Sequence, residues 1–171
     1  MVAVVARVSL ESALAKDGTT VTAFLEGLVG EPVDANERRH VMTSADSPNL
    51  LDLAEGERLL RRSALLQGRR SGQSYVYARS LIVPGRLPPE VCRQLETSSL
   101  PIGRILEGQG IGFRRSPLAH GWLKSLSLPG DSPPPDDYLL QRGYRIEVEG
   151  QPTMVIGEWF LSALETFLGR C

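Results

Sequence analysis

Four stretches of the chain show the two-residue alternation that is typical of β-strands, and this feature constrains the fold most strongly. They are residues 32–42, 58–68, 73–83 and 143–161, and Gly150-Gln151 predicts a hairpin turn within the last of them. Shorter segments with helical signals precede and separate the strands. Helices that flank a single antiparallel sheet define the α+β class, which is the fold that we expect.

The helical segments are recognised by their capping residues. Ser9 is a good N-cap for a short first helix, and either Thr19 or Thr20 can cap a second helix that ends at Gly30. Prolines at the start of the segments PPEVCRQLE and PIGRILEG suit the first turn of a helix. The sequence therefore predicts helices before the first strand and between the third and the last.

Length and composition limit the kinds of protein that the chain can be. With 171 residues, 42% of them hydrophobic, we expect one domain over residues 1–171, with the Pro-, Gly- and Asp-rich residues 127–137 as a surface loop. A net charge of -1 argues against a nucleic-acid partner. Two cysteines make no disulfide framework, and no apolar run of about 18 residues predicts a membrane span. These features favour a cytoplasmic protein.

Strand alternation assigns charged residues to faces that are otherwise apolar. In the last strand Glu158 shares a face with Met154, Ile156 and Phe160. A carboxylate there needs a cation or a hydrogen-bond donor, because desolvation opposes its charge. Glu158 is therefore a candidate for a buried functional site.

Two arginines show the same property. Arg79 shares a strand face with Tyr77 and Leu81, and Arg62 shares a face with Leu60 and other apolar residues. Two inward arginines and one inward glutamate leave one positive charge over, which a bound anion such as a carboxylate would neutralise. A closed ion pair between Arg79 and Glu158, or a strand register shifted by one residue, explains the pattern equally well.

The sequence offers little support for a metal or a nucleotide. Neither His40 nor His120 has a histidine or cysteine at zinc-like spacing, and the segment GQGIGF lacks the third glycine of a dinucleotide-binding loop. We therefore expect no metal and no cofactor.

Five segments together resemble the chorismate pyruvate-lyase family, from about Asp17 to Leu161. They are DGTTVTAFLEGLVGEPV, RRSALLQG, YVYARSLIVP, LPIGRIL and YRIEVEGQPTMVIGEWFL. The resemblance implies the family's fold, a single antiparallel sheet flanked by helices. It also implies a lyase that eliminates pyruvate from chorismate to give 4-hydroxybenzoate, without metal or redox cofactor.

The resemblance also implies which residues bind the ligand. Arg62 and the backbone amide of Ile102 would hold the ring carboxylate. Ala78 would lie against the ligand at a position where the family usually has glycine, and the apolar side chain of Val21 would cover it.

Two residues would carry the reaction according to the resemblance. Arg79 would stabilise the departing enolpyruvate, and Glu158 would orient the ring hydroxyl and could act as a general base. The partner is then a small molecule, and the protein a monomer or a small homo-oligomer.

A non-catalytic alternative stays open, because the same fold resembles the effector-sensing domains of some bacterial transcription regulators. Such a domain would bind a small aromatic carboxylate without converting it. A regulator of this kind would carry a winged-helix DNA-binding domain upstream, and about sixteen residues precede the first shared motif, which favours the lyase.

Overall fold

The protein folds around one antiparallel sheet of six strands. The structure is a computed structural model and describes residues 10–14, 20–46, 49–118 and 133–169. The strands are ordered β1-β2-β3-β6-β5-β4 across the sheet. Their bounds are Val33–Ser44 (β1), Arg58–Gly68 (β2), Ser74–Ile82 (β3), Phe113–Pro117 (β4), Tyr138–Val148 (β5) and Gln151–Leu161 (β6). With the helices described next, the sheet confirms the α+β class.

Helices precede the sheet, connect its strands and follow it. They are Val21–Val29 (α1), Pro89–Thr97 (α2), Ile102–Gly108 (α3) and Glu165–Leu168 (α4), and residues 10–14 are also helical. The hydroxyl of Thr20 accepts a hydrogen bond from the Ala23 amide and so caps α1. Gly30 ends the helix in the left-handed conformation, with φ of 74°, which glycine adopts without strain.

The predicted strands and the observed strands agree in the first half of the chain and at the last hairpin. The structure adds β4 and extends β5 to the N-terminal side of residue 143. Both were missed because β4 is a charged edge strand, and because a bulge between Tyr138 and Leu140 interrupts the alternation at the start of β5. Ser9, Thr19 and residues 127–132 of the expected surface loop lie outside the described residues.

Three clusters of apolar side chains form the core. Two of them lie on the face of the sheet that the helices cover, one under α1 and one under α2 and α3. The third lies on the opposite face and includes Leu51, Leu53 and Trp159. On the helix-covered face, the central strands carry polar or small residues where one apolar cluster gives way to the next.

A β-bulge in β1 changes which residues of that strand face the helices. Asn36 pairs with Leu65, but the next pair is Arg39 with Ser63, so β1 contains one extra residue. Glu37, within the bulge, has φ of 48°, a value that is uncommon for residues other than glycine. As a result Ala35 faces the helices before the bulge, and His40 faces them after it.

No helix in the described ranges is long and apolar enough to cross a membrane.

Candidate functional site

A buried guanidinium marks one end of the polar region between the two helix-side clusters. Arg62 is 4% exposed, and its Nε and Nη2 atoms make no hydrogen bond. In Arg69 and Arg93 the same two atoms bind the carboxylates of Asp34 and Glu90. Arg62 therefore presents, inside the protein, the fork of donors that elsewhere in this chain binds a carboxylate.

The charge of Arg62 also indicates that the residue binds an anion. Burial, with the charge of Arg38 as a second cause, lowers the pKa of Arg62 to about 10. The guanidinium stays charged at neutral pH, and a buried charge without a partner is costly. A bound anion would remove this cost.

Glu158 marks the other end of the polar region and is itself well supplied with partners. Its side chain is buried, and Arg142 lies opposite it on β5 and donates from Nε to Glu158 Oε2 over 2.8 Å. The hydroxyl of Tyr144 donates to Glu158 Oε1 over 2.7 Å. Glu158 thus lies in an ion pair and a hydrogen bond, held by two side chains of one neighbouring strand.

The partners of Glu158 have shifted pKa values. Burial opposes the charge of Arg142, but the neighbouring Glu158 carboxylate outweighs it, so the pKa of Arg142 is raised. Burial, followed by the charge of Glu158, raises the pKa of Tyr144 well above its usual value. Tyr144 is therefore a neutral hydrogen-bond donor, and Arg142 remains a cation.

Small residues form the floor between Arg62 and Glu158. Ala64 and Ala78 lie directly opposite each other on β2 and β3, and Ala78 lies opposite Glu158 on β6. From strand spacing, the Cα atoms of Arg62 and Glu158 are about 12 Å apart. Two methyl groups in place of larger side chains leave room for a flat group between the guanidinium and the carboxylate.

The helices supply the roof of this cavity. Val21 at the start of α1 and Ile102 and Leu106 of α3 line the cavity from the helices, and Ile156 lines it from β6. As the first residue of α3, Ile102 has a backbone N–H with no acceptor inside the helix. The structure thus brings Arg62, Ala78, Ile102, Val21 and Glu158 to one cavity.

Arg79 does not face this cavity. It pairs with Ser63 and Gly157, so its side chain projects from the other face of the sheet. There its Nε donates to the Tyr77 hydroxyl over 2.9 Å. The expectation that both arginines face Glu158 is wrong for Arg79, because Arg62 and Glu158 share a face with Ala78 and not with the residue next to it.

Arg142, Tyr144 and Arg115 belong to the site but were not among the predicted residues. Arg115 lies on β4, with its guanidinium carbon 5.3 Å from the centre of the Tyr144 ring, and it lines the cavity. Alternation would have placed Arg142 and Tyr144 on the face of Leu140 and Ile146, had β5 been extended far enough. Arg115 had no comparable signal in the sequence, because β4 is short and largely polar.

A wider cleft adjoins the cavity and shares Thr20, Phe113, Arg115 and Tyr144 with it. Arg142 lines the cleft from the sheet. Three arginines, Arg114, Arg115 and Arg142, line this cleft, and so do Glu11 and Glu107, so the cleft carries charges of both signs. Among the described residues, no group of three histidine, cysteine, aspartate or glutamate side chains could hold a metal ion.

Comparison with known sequences identifies similar proteins. The chain is 31% identical over 157 residues to a chorismate pyruvate-lyase of Mycobacterium leprae (strain TN), with 85% of this chain and 70% of that protein covered. It is 32% identical over 113 residues to a chorismate pyruvate-lyase of Mycobacterium tuberculosis (strain ATCC 25618 / H37Rv), covering 63% of this chain and 55% of the relative. No family model matches.

Comparison with solved structures also identifies similar chains. PhnF from Mycobacterium smegmatis is similar with a TM-score of 0.51 and 10% identity, over 86% of this chain and 66% of that one. A transcriptional regulator of the GntR family from Bacillus cereus has a TM-score of 0.46 and 13% identity, over 77% and 92% of the two chains. At such low identity a structural likeness concerns the fold alone.

Proposed function

Because the chain belongs to the chorismate pyruvate-lyase family, we propose that it eliminates pyruvate from chorismate and leaves 4-hydroxybenzoate. The observation that carries this proposal is the position of Arg62 and Glu158. Both are buried on one face of the sheet, at opposite ends of a cavity with a floor of small residues. Chorismate carries a ring carboxylate and, across the ring, a hydroxyl group, which suit these two ends.

The ring carboxylate would bind at Arg62. The unpartnered Nε and Nη2 atoms offer two parallel donors, and the backbone N–H of Ile102 offers a third. The ring would then lie over Ala64 and Ala78, with Val21 covering it from α1. In this pose the carboxylate neutralises the buried charge of Arg62.

The hydroxyl end of the ring would meet Glu158. Arg142 and Tyr144 each occupy one oxygen of this carboxylate, and a carboxylate can accept further hydrogen bonds at its remaining lone pairs. Both partners come from strand β5, which pairs with β6, so the acceptor is held in place before the ligand arrives. Glu158 would accept a hydrogen bond from the ring hydroxyl and so set the orientation of the ring.

The reaction itself is redox-neutral. The hydrogen on the hydroxyl-bearing ring carbon leaves as a proton, and its electron pair forms the ring double bond that completes the aromatic system. The bond between the neighbouring ring carbon and the ether oxygen breaks, and the enolpyruvate leaves with that electron pair and takes up a proton to become pyruvate. Since aromatisation drives the step, the protein needs to position the ring and stabilise the charge that develops on the leaving oxygen.

The enolpyruvyl carboxylate requires a second cation, and we assign it to Arg115. This residue lines the cavity where the cavity opens into the cleft, and it stacks on Tyr144, which bonds to Glu158. A contribution from Arg79 stays a prediction. From its position on the opposite face, Arg79 would have to act through the sheet.

The test is to incubate the purified protein with chorismate and to measure pyruvate and 4-hydroxybenzoate together. We expect equal amounts of both products, and we expect the Arg62→Ala variant to lose this activity. Arg58→Ala is the matched control, because Arg58 lies on the same strand but is exposed. Absence of pyruvate from the folded wild-type protein would contradict the proposal.

A non-catalytic domain that binds a small aromatic carboxylate is the second candidate. One observation favours it: both oxygens of Glu158 already accept hydrogen bonds within the protein, so the residue is satisfied without accepting a proton. Calorimetric titration with 4-hydroxybenzoate separates the two functions. Tight binding without any pyruvate release from chorismate would establish binding as the function.

A further inference from the structure

Arg62, which lines the cavity, and two basic residues of the neighbouring strand β1 leave four buried nitrogen atoms without hydrogen bonds in the described part of the chain. These atoms are Nη1 of Arg38, Nε2 of His40, and Nε and Nη2 of Arg62. His40 lies directly opposite Arg62 on the neighbouring strand, and Arg38 is two residues before His40 on the same strand. Side chains that are opposite in a strand pair lie about 5 Å apart at Cβ.

The bulge in β1 creates this cluster. If the pairing of Ala35 with Leu66 continued without interruption, Arg39 would lie opposite Arg62, and Arg38 and His40 would project from the other face. The extra residue at the bulge reverses this, at the expense of an uncommon backbone angle at Glu37. The chain thus adopts an irregular strand that brings basic groups together, although like charges repel.

The hydrogen bonding of His40 defines what it can offer. The imidazole forms a hydrogen bond with the backbone of Leu95 in α2, and Nε2 is the ring nitrogen without a partner. When Nδ1 donates to the carbonyl of Leu95, neutral His40 has a lone pair at Nε2, and protonation turns Nε2 into a donor. A protonated His40 would thus complete a set of donors from Arg38, His40 and Arg62.

We propose that Arg38, His40 and Arg62 form one anion subsite that takes the ring carboxylate of the ligand, and that His40 takes up a proton when the subsite fills. The carboxylate as occupant rests on the proposed function, whereas the clustering of the unpartnered nitrogen atoms does not. Arg38 and His40 are then residues that determine specificity for a charged group at this end of the ring.

The groups that face His40 fix the direction of the pH dependence. They are Arg38 from its own strand, Arg62 from β2, and the backbone of Leu95 and the carboxylate of Glu96 from α2. Burial, followed by the charge of Arg62, lowers the pKa of His40 below its usual 6.5 in the empty site. The negative charge of a bound carboxylate would offset that of Arg62 and favour protonated His40, which raises its pKa. Over the range in which the ligand is ionised, its affinity therefore falls as the pH rises between the two pKa values.

Benzoate is a suitable probe, because it carries the carboxylate without the groups that react. The chain has two histidines, His40 and His120, so the His40 signal can be assigned by nuclear magnetic resonance with a His40→Gln variant. We expect benzoate to raise the pKa of His40. For each unit of this rise, benzoate affinity should fall about tenfold across the titration range. An unchanged His40 pKa at the highest benzoate concentration would overturn the inference.

Variants distinguish the effect of losing a charge from an effect on folding. His40→Gln should bind benzoate with an affinity that no longer varies with pH in this range, and Arg38→Gln should bind it more weakly at every pH. Arg39→Gln is the control, because Arg39 is exposed and pairs with Ser63 on the other face. Wild-type pH dependence in folded His40→Gln would contradict the role of His40.

The outcome is separate from that of the lyase assay. If chorismate yields no pyruvate but benzoate shifts His40, the proposed reaction fails and the subsite stands. If chorismate is converted and benzoate leaves His40 unchanged, the lyase function stands and the subsite fails.

Discussion

Arg142 and Glu158 lie directly opposite each other on β5 and β6, and the Nε of Arg142 donates to the carboxylate over 2.8 Å. Both residues belong to central, hydrogen-bonded strands, so the pair is held by the sheet and not by a loop. Tyr144, two residues beyond Arg142, binds the other oxygen of the same carboxylate. The orientation of Glu158 is therefore set by one neighbouring strand.

Replacement of Glu158 by glutamine should reduce pyruvate formation roughly a hundredfold or more, as expected for loss of a positioned acceptor or base. The variant also leaves Arg142 without its anionic partner. Glu149→Gln is a matched control in the exposed turn of the same hairpin and should keep the wild-type rate. Steady-state pyruvate release measures both, and equal rates for the two variants would contradict the assignment of Glu158.

Variants of Arg79 and Arg115 test which of these two residues binds the departing enolpyruvate. If Arg115 binds the enolpyruvyl carboxylate, Arg115→Ala should lower turnover of chorismate strongly, while binding of 4-hydroxybenzoate, which lacks that carboxylate, changes little. Arg79→Ala should then have the smaller effect on turnover, because its side chain lies on the other face of the sheet. The reverse order would restore the role that the family resemblance implied for Arg79.

Ala78 tests the floor of the cavity. Ala78→Val adds two methyl groups beside Ala64 and should abolish binding of 4-hydroxybenzoate, because the ring then has no room. Ala78→Gly, which introduces the residue usual in the family, should retain binding. Calorimetric titration of both variants, with thermal unfolding as a check on folding, decides the point, and normal binding by the valine variant would contradict the pose.

Glu31 makes a prediction about stability and pH. Its carboxylate accepts hydrogen bonds from the hydroxyl and amide of Ser71, from the amide of Arg70 and from the Tyr75 hydroxyl. Chiefly the Ser71 hydroxyl lowers the pKa of Glu31 to about 2, although burial works in the opposite direction. Because the pKa is lower in the folded state, the carboxylate stabilises the protein above about 4.5, and this contribution is lost as the pH falls towards about 2.

Glu31→Gln should accordingly unfold at lower temperature than the wild type at neutral pH, and the difference should shrink as the pH falls through that window. Glu55→Gln changes an exposed carboxyl and serves as the control. Thermal unfolding followed by circular dichroism over a pH series gives the comparison. A difference that does not depend on pH would show that Glu31 acts through packing alone.

Much of the fold follows from alternation, capping and turn residues, because each of these is a local property of the chain. The helix Val21–Val29 and the strand around Arg62 are examples. The site follows in part: alternation placed Arg62 and Glu158 on buried faces, but it could not tell which face of β3 joins theirs. That depends on cross-strand register, which puts Ala78 opposite Glu158 and sends Arg79 to the far side.

Because of the bulge at Glu37, the alternation of inward and outward side chains at one end of β1 does not depend on the alternation at the other end. Core packing of Val33 and Ala35 fixes one end, and the pairing of His40 with Arg62 fixes the other. Loss of one residue between them would regularise the strand and leave both inward sets where they are. Insertions and deletions among relatives should therefore occur at this point. The residues equivalent to Arg38 and His40 are then identified by counting back along the strand from the residue that pairs with Arg62, and not by counting forward from Val33.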